Sequence, residues 1–412
     1  MRAYERLIKY AKYEAASDRS SDSCPSTSEQ LEFGRTLVEE MQSLGIKDAH
    51  MDENGYVFGT IESNIENWEG PVIGFIAHMD VVRDVPFENI KPRVVENYDG
   101  GEIVLNQDEC IILSPDEYPE LKKYVGKDLV VTDGTTLLGA DNRAGVAEIM
   151  TMAEVLLTNP EIKHGTIKIG FTPDEEIGRG ADRFDVKRFG ADFAYTVDGG
   201  AFGEVEYETF NAATAKITIQ GRNIHPGTAK NKMKNAALIA MEFNSLLPSV
   251  ERPEHTEGYE GFYHLIDIAG VVEHACLTYI IRDHDAGRYM AKKDLLNRIT
   301  QWLNDKYGEA TVTLEVIDSY ANMCEQIKPH WHLIENAYAA VREVGGSPYS
   351  IPVRGGTDGA RLSFMGLPCP NLGTGSHNHH SKLEYACVQA MDDCVAMLVK
   401  IAEKYGQVGK VK

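Results

Sequence analysis

The chain has 412 residues, 43% of them hydrophobic and 25% charged, with a formal charge of −22 at neutral pH. This is the composition of an ordinary soluble globular protein, long enough for two domains, and its acidity argues against binding nucleic-acid phosphates. No apolar run approaches the roughly 18 residues of a membrane span. Seven scattered cysteines with no Cys-x-x-Cys pair argue against a disulfide framework or thiolate zinc site and favour a reducing, cytoplasmic setting.

Residues 1–10 carry charges throughout and resemble an amphipathic helix, not a signal peptide. After a polar loop at 17–26, Thr27 and Gln30 stand at capping-box spacing and predict a helix ending near Gly45. Strand-like runs follow at 56–61 and 72–77. A segment rich in Asp, Glu, Pro and Asn, roughly 83–120, reads as a surface excursion. Residues 143–157 repeat apolar side chains at helical spacing. The alternation of strand and helix predicts an α/β domain with a largely parallel sheet and helices on both faces. Near 208 the character changes. A strand at 211–221, a helix at 234–247, strands at 261–268 and 275–282, a helix at 292–307 and a strand at 310–317 give the order of a ferredoxin-like split βαβ unit. The predicted domains are 1–207 and 321–412 for the α/β part, with 208–320 as an inserted α+β lid.

Five short apolar runs each lead to a carboxylate or histidine. Residues 72–77 precede His78-Met79-Asp80, 137–140 precede Asp141, and 167–172 precede Pro173-Asp174-Glu175-Glu176. Residues 193–197 precede Asp198, and 370–372 lead through Gly373-Thr374-Gly375 to His377, His379 and His380. Ligands gather beyond the carboxyl ends of strands in open α/β sheets. Each ending alone has a bland account: a satisfied core histidine, a helix N-cap at Asp141, a solvated acidic turn at Glu175-Glu176, an Asp-Gly turn at Asp198. Together they supply the oxygen and imidazole donors that suit zinc or a similar divalent ion. His78 and Asp80 share a strand face, so Asp80 can hold the imidazole nitrogen that does not bind metal. Of the adjacent acids Glu175 and Glu176, one can ligate while the other moves protons. There is no Gly-x-Ser-x-Gly elbow and no His-Glu-x-x-His helix.

The stretches Ile76-Ala77-His78-Met79-Asp80, Leu138-Gly139-Ala140-Asp141, Phe171-Thr172-Pro173-Asp174-Glu175-Glu176 and Thr196-Val197-Asp198-Gly199-Gly200 resemble the M20 metallopeptidase family over essentially the whole chain. His225-Pro226-Gly227-Thr228 belongs to the same resemblance, and Pro352-Val353-Arg354-Gly355-Gly356-Thr357-Asp358-Gly359, Gly366-Leu367-Pro368-Cys369-Pro370-Asn371 and Glu257-Gly258-Tyr259-Glu260-Gly261-Phe262-Tyr263-His264 narrow it to the family's tripeptide aminopeptidases. The resemblance implies a zinc-peptidase-like fold and two zinc ions. His78, Asp141 and Asp198 would hold one ion, and Asp141, Glu176 and His380 the other, with Asp141 bridging. Glu175 would be general base and acid, and Asp80 would orient His78. His225 would stabilise the oxyanion. Arg282 on the insert and Arg354 on the main domain are the candidates for the substrate carboxylate, since a planar guanidinium binds two oxygens at once. Asn142 and Ser381 stand where the family often has Asp and Gly, and His284 replaces an aromatic residue. Tripeptides are the implied partners, with neither nucleic acid nor membrane; a homodimer is compatible with this reading. The competing readings are another M20 hydrolase (dipeptidase, carboxypeptidase or N-acyl amino acid hydrolase) and a non-catalytic metal- or peptide-binding relative.

Overall fold

Four of the five apolar runs are neighbouring strands of one sheet: Ile73–His78, Ile167–Thr172, Phe193–Gly199 and Asn371–Gly373. The computed structural model describes residues 1–407. The fifth run, 137–140, forms no strand; it is a loop that delivers Asp141 into the first turn of helix Ala140–Thr158. The seven-stranded sheet runs His50–Met51, Val57–Ile61, Ile167–Thr172, Ile73–His78, Phe193–Gly199, Asn371–Gly373, Val205–Glu206. Its four central strands are parallel and the flanking ladders antiparallel, so the sheet is mixed around a parallel centre. Every residue of Ile73–His78 is buried, as a strand covered on both faces requires. Ile76 joins Phe58, Phe184, Phe189 and Leu362 in a cluster on one face. Helix Ala140–Thr158 takes the other, packed with helices Ala3–Tyr10 and Val388–Gly406.

The sheet belongs to a compact unit made of Met1–Tyr207, Glu325–Ser350 and the chain from Thr357 on. Within it, segment 83–120 is more than an excursion. Tyr98, Ile103, Leu105, Leu113 and Leu121 form a core of their own with Leu129, Val131 and Tyr385. A small sheet, Ser376–His377, Tyr385–Cys387, Leu129–Val131 and Arg93–Val95, lies beside it. These strands are too short to show a period-2 pattern, which is why only the polar character of the segment was visible.

The helix predicted from Thr27 spans Ser28–Leu44 and ends at Gly45 in the left-handed region, φ 104°. Its capping box does not form. Thr27 Oγ1 donates to the Ala16 carbonyl, and Gln30 instead donates to Asp174 and accepts from its N–H at 2.7 and 3.0 Å.

The second unit comprises Glu208–Cys324 and Ile351–Gly356. Its antiparallel sheet has the order Phe262–Gly270, His274–Asp283, Asn211–Gln220, Val312–Tyr320, with helices Ala236–Ser245 and Ala286–Tyr307. Alternate residues Ala213, Ala215, Ile217 and Ile219 pack against Ile239, Phe243, Leu296 and Ile299. The longer helix begins at Ala286, ahead of the expected 292, because Asp285 caps it by accepting from Arg288 N at 2.7 Å. Arg354 lies with this unit, not with the main domain to which chain order assigned it. Its guanidinium donates to the carbonyls of Gly258 and Glu260 at 2.9 and 2.8 Å and to Thr256 Oγ1 at 2.8 Å, and it stacks on Phe210 and Phe262.

Candidate metal centre

His78 ends its strand with the imidazole buried, 2% exposed. Its Nε2 lies 3.1 Å from Asp141 Oδ1 and 3.3 Å from Asp198 Oδ1, with Glu175 Oε2 at 4.0 Å. On its far side, Nδ1 is 3.1 Å from the Asp80 carbonyl and 3.3 Å from Asp80 Oδ1. The same Asp80 carboxylate accepts the N–H groups of Glu175 and Glu176 at 3.1 and 3.2 Å. It therefore ties the strand end of His78 to the turn that presents both glutamates. That turn is fixed from behind by Asp174, in the left-handed region at φ 60° and held by Ser26 and Gln30.

His380 Nε2 stands 3.0 Å from Asp141 Oδ2 and 3.0 Å from Glu176 Oε2. The two oxygens of Asp141 thus face two different imidazoles. The helix whose first turn carries Asp141 packs very closely on the strand of Asp198: a Cβ on Gly145 would stand 1.9 Å from the Val197 carbonyl oxygen.

The electrostatics are those of a site short of cations. Burial pushes Glu175 well above the carboxylate range, with Asp358 and Asp198 reinforcing the shift. Burial and the charge of Asp141 push Glu176 up to about 8. Asp141 moves the other way: burial acts against ionisation, but His379, His380 and His78 outweigh it. Hydrogen bonds to Asp141 and Glu176 push His380 up to about 11. Glu176 Oε1 is buried with no hydrogen-bond partner, and a buried acceptor left this way is costly unless something binds it. Atoms of His78, Glu175 and Asp198, and of His78, Asp141 and Glu176, converge within 4.8 Å. Oxygen and imidazole donors gathered around an orphaned carboxylate oxygen fit divalent cations of the zinc or manganese kind.

The remaining histidines of the cluster do other work. His377 Nε2 is bonded to Tyr124 OH at 2.5 Å, its ring stacks on Tyr385, and burial lowers it to about 4. His379 pairs with Ser376 Oγ at 2.8 Å and keeps its other nitrogen 3.7 Å from Asp141.

His225, Arg282 and Arg354 all stand on the second unit. His225 is exposed at the start of the short turn Pro226–Thr228, its Nδ1 accepting from Gly227 N at 3.2 Å. Arg282 lies over the Tyr320 ring and donates to the Ile281 carbonyl at 3.0 Å.

Three polar residues beneath the centre were given no role from sequence. Asn371 accepts from Asp198 N at 3.0 Å and donates to Glu206 at 2.6 Å. Asp358 is buried, accepts from Thr172 Oγ1 at 2.8 Å and is pushed up to about 7 by burial. Glu384 accepts from the N–H of Asp141 at 2.9 Å. The only signal for any of them was position: Asp358 and Asn371 lie in the stretches that carry the resemblance, and Glu384 closely follows His380.

The peptidase dimerisation domain profile matches residues 207–311. Peptidase T of Caldanaerobacter subterraneus subsp. tengcongensis is 56% identical over 405 residues, covering 98% of this chain and 99% of that protein. Peptidase T of Bacillus subtilis is 54% identical over 401 residues, 97% of this chain and 98% of that one. Among solved structures, an aminopeptidase PepT from Bacillus cereus superposes with a TM-score of 0.78 at 22% identity, covering 98% of each chain. A dinuclear metal-binding M20 peptidase of Bacillus subtilis gives 0.66 at 15% identity, over 98% of this chain and 99% of that one. These two likenesses are of fold.

Proposed function

The chain belongs to the peptidase T family of M20 metallopeptidases, and from that premise we propose that it removes the N-terminal residue of tripeptides by two-metal hydrolysis. The observation that carries the reading is the placement of His78 Nε2 and His380 Nε2 at 3.1 and 3.0 Å from opposite oxygens of Asp141. His78, Asp141 and Asp198 would hold one zinc ion, and Asp141, Glu176 and His380 the other. Bound there, the ions supply Lewis acidity for the scissile carbonyl and an easily deprotonated water.

Glu175 takes the proton of the attacking water and returns it to the leaving amine. Its turn is anchored through N–H groups to Asp80, and burial raises its proton affinity toward that of the water it serves. Asp80 holds the outer nitrogen of His78 and so directs Nε2 inward. His225 donates to the oxyanion, and Arg282 takes the substrate carboxylate with its planar fork. Arg354, the other candidate for that carboxylate, has its guanidinium on the turn at 256–260. The match to a peptidase dimerisation domain supports a homodimer. The free state of the described cysteines supports the cytoplasm, and among the described residues no helix is long and apolar enough to cross a membrane.

The metal-replete protein would be incubated with a free tripeptide, its N-acetyl form and the matching dipeptide, and products identified by mass. Release of the first residue from the free tripeptide alone, abolished by chelator, is the expected result. Cleavage of the acetylated peptide or the dipeptide instead would move the enzyme to another M20 activity.

A further inference from the structure

Glu384 is 2% exposed, and its carboxylate is spent entirely on one loop. Oε2 accepts from Leu138 N at 2.9 Å and Gly139 N at 2.6 Å, and Oε1 accepts from Asp141 N at 2.9 Å. Gly139 adopts φ 72°, a left-handed conformation that glycine tolerates best and that here helps turn successive N–H groups toward one anion. Arg143, which feels the charge of Glu384, is itself fully buried and committed to the carbonyls of Ala11 and Tyr13.

Glu384 also sits on the hairpin that presents His380. Ser376–His377 pairs with Tyr385–Ala386, and Ala386–Cys387 pairs with Val130–Leu129. His379 and His380 occupy the turn between those arms, with His380 at φ 58°. The hairpin base is therefore fixed by strand pairing, while Glu384, beside the turn, ties it to the backbone of the helix start. We infer that Glu384 is a positioning residue of the metal centre: by gripping the Leu138–Asp141 backbone it sets the distance between His380 and the bridging Asp141. This rests on the reading of those residues as metal donors.

The choice of variant follows from the donors. In Glu384→Gln the amide NH2 must face at least one backbone N–H, donor against donor, while volume is conserved. The ion held by Asp141, Glu176 and His380 depends on this alignment. The ion held by His78, Asp141 and Asp198 has two of its three donors on sheet strands and so depends on this alignment less. The expected result is that Glu384→Gln keeps one ion per chain near wild-type affinity and weakens the second about 10–100-fold. Titrated Mn2+ binding reads the affinities, and the spin-coupled electron paramagnetic resonance signal of the Mn2+ pair, which a merely structural loss would not selectively abolish, should disappear. Asp128→Asn is the comparator. Asp128 makes similar bonds to Asn97 N and Gln389 at 2.9 and 2.8 Å, away from the centre, and its loss should lower the melting temperature without changing ion binding.

A folded Glu384→Gln protein with two wild-type affinities and an intact coupled signal overturns the inference, as does equal loss of the second ion in Asp128→Asn. If Glu384→Gln does not fold, Glu384→Asp is read the same way, since it keeps the charge and withdraws it by one methylene. Failure of both to fold makes Glu384 a general element of the fold and also overturns the inference. A wild-type chain that binds no ion pair would instead sink the two-metal reading itself.

Discussion

In the second unit, Lys292 is buried with its ammonium between Glu251 and Asp283 and over the Tyr263 ring. Arg354, half-buried, is likewise matched, by three protein oxygens and two aromatic faces. In the first unit, Asp80, Asp141, Glu175, Glu176 and Asp198 crowd around His78 and His380, and one oxygen of Glu176 has no partner at all. Buried charge in the second unit is matched by the fold itself, whereas the first unit leaves a surplus of carboxylate that only bound cations or protons relieve. Matched charges stabilise a structure; unmatched ones of one sign, converging from several strand ends, mark where it works.

The sharpest way to break that contrast is to remove one acid from the surplus. Glu175→Gln should lower kcat by about 10²–10⁴-fold while metal content, measured after desalting, stays at the wild-type value. Loss of bound metal in that variant would make Glu175 a ligand and not a proton carrier.

Next in size is Gly145→Ala. A methyl placed 1.9 Å from the Val197 carbonyl oxygen should force the helix start away from the Asp198 strand. We expect a loss of about 1–3 kcal/mol in chemical denaturation, accompanied by weaker metal binding. Destabilisation with unchanged metal affinity would show that the ligands adjust independently of helix packing.

Glu148 tests the contrast from another side, because it is a buried acid of the first unit with neither carboxylate oxygen partnered. Burial holds it well above the usual range. Between the unfolded value of about 4.3 and its raised folded value, the unfolded chain releases this proton and the folded chain keeps it. Stability from this group is therefore fully present below the lower limit and falls as pH rises through that window. Glu148→Met should raise stability at pH 7 by about 1–3 kcal/mol and flatten the pH dependence of the melting temperature. An unchanged slope would place a partner beside Glu148.

The smallest expected effect is Arg354→Lys, which removes the fork but keeps the charge. About 1 kcal/mol of stability should be lost by thermal denaturation, with metal binding untouched. A large rise in KM with unchanged stability would instead make Arg354 a direct contact to substrate.

Much of this was legible because hydrophobic runs announce strands and the residues just beyond them announce a site. Ile167–Thr172 followed by Glu175 and Glu176 is such a case, and the βαββαβ order of the second unit could be read from periodicity alone. What stayed hidden depends on partners remote in sequence. Glu384 binds backbone N–H groups near residue 140, and no side-chain pattern records a bond whose donors are main chain. The strands Arg93–Val95 and Tyr385–Cys387 are too short to have a period. Arg354 and its neighbours Ile351–Gly356 belong to the second unit, although the chain on either side of them, Glu325–Ser350 and from Thr357 on, belongs to the first.

The strand Asn371–Gly373 and the hairpin carrying His380 have a consequence for the order of synthesis. The strand is inserted between Phe193–Gly199 and Val205–Glu206, both made much earlier. A nascent chain emerging from the ribosome therefore holds His78, Asp141, Glu176 and Asp198 while the edge of Phe193–Gly199 is still unpaired. The last histidine arrives only after the second unit has been translated, so the proposed donor set is incomplete until residues 208–324 have been made.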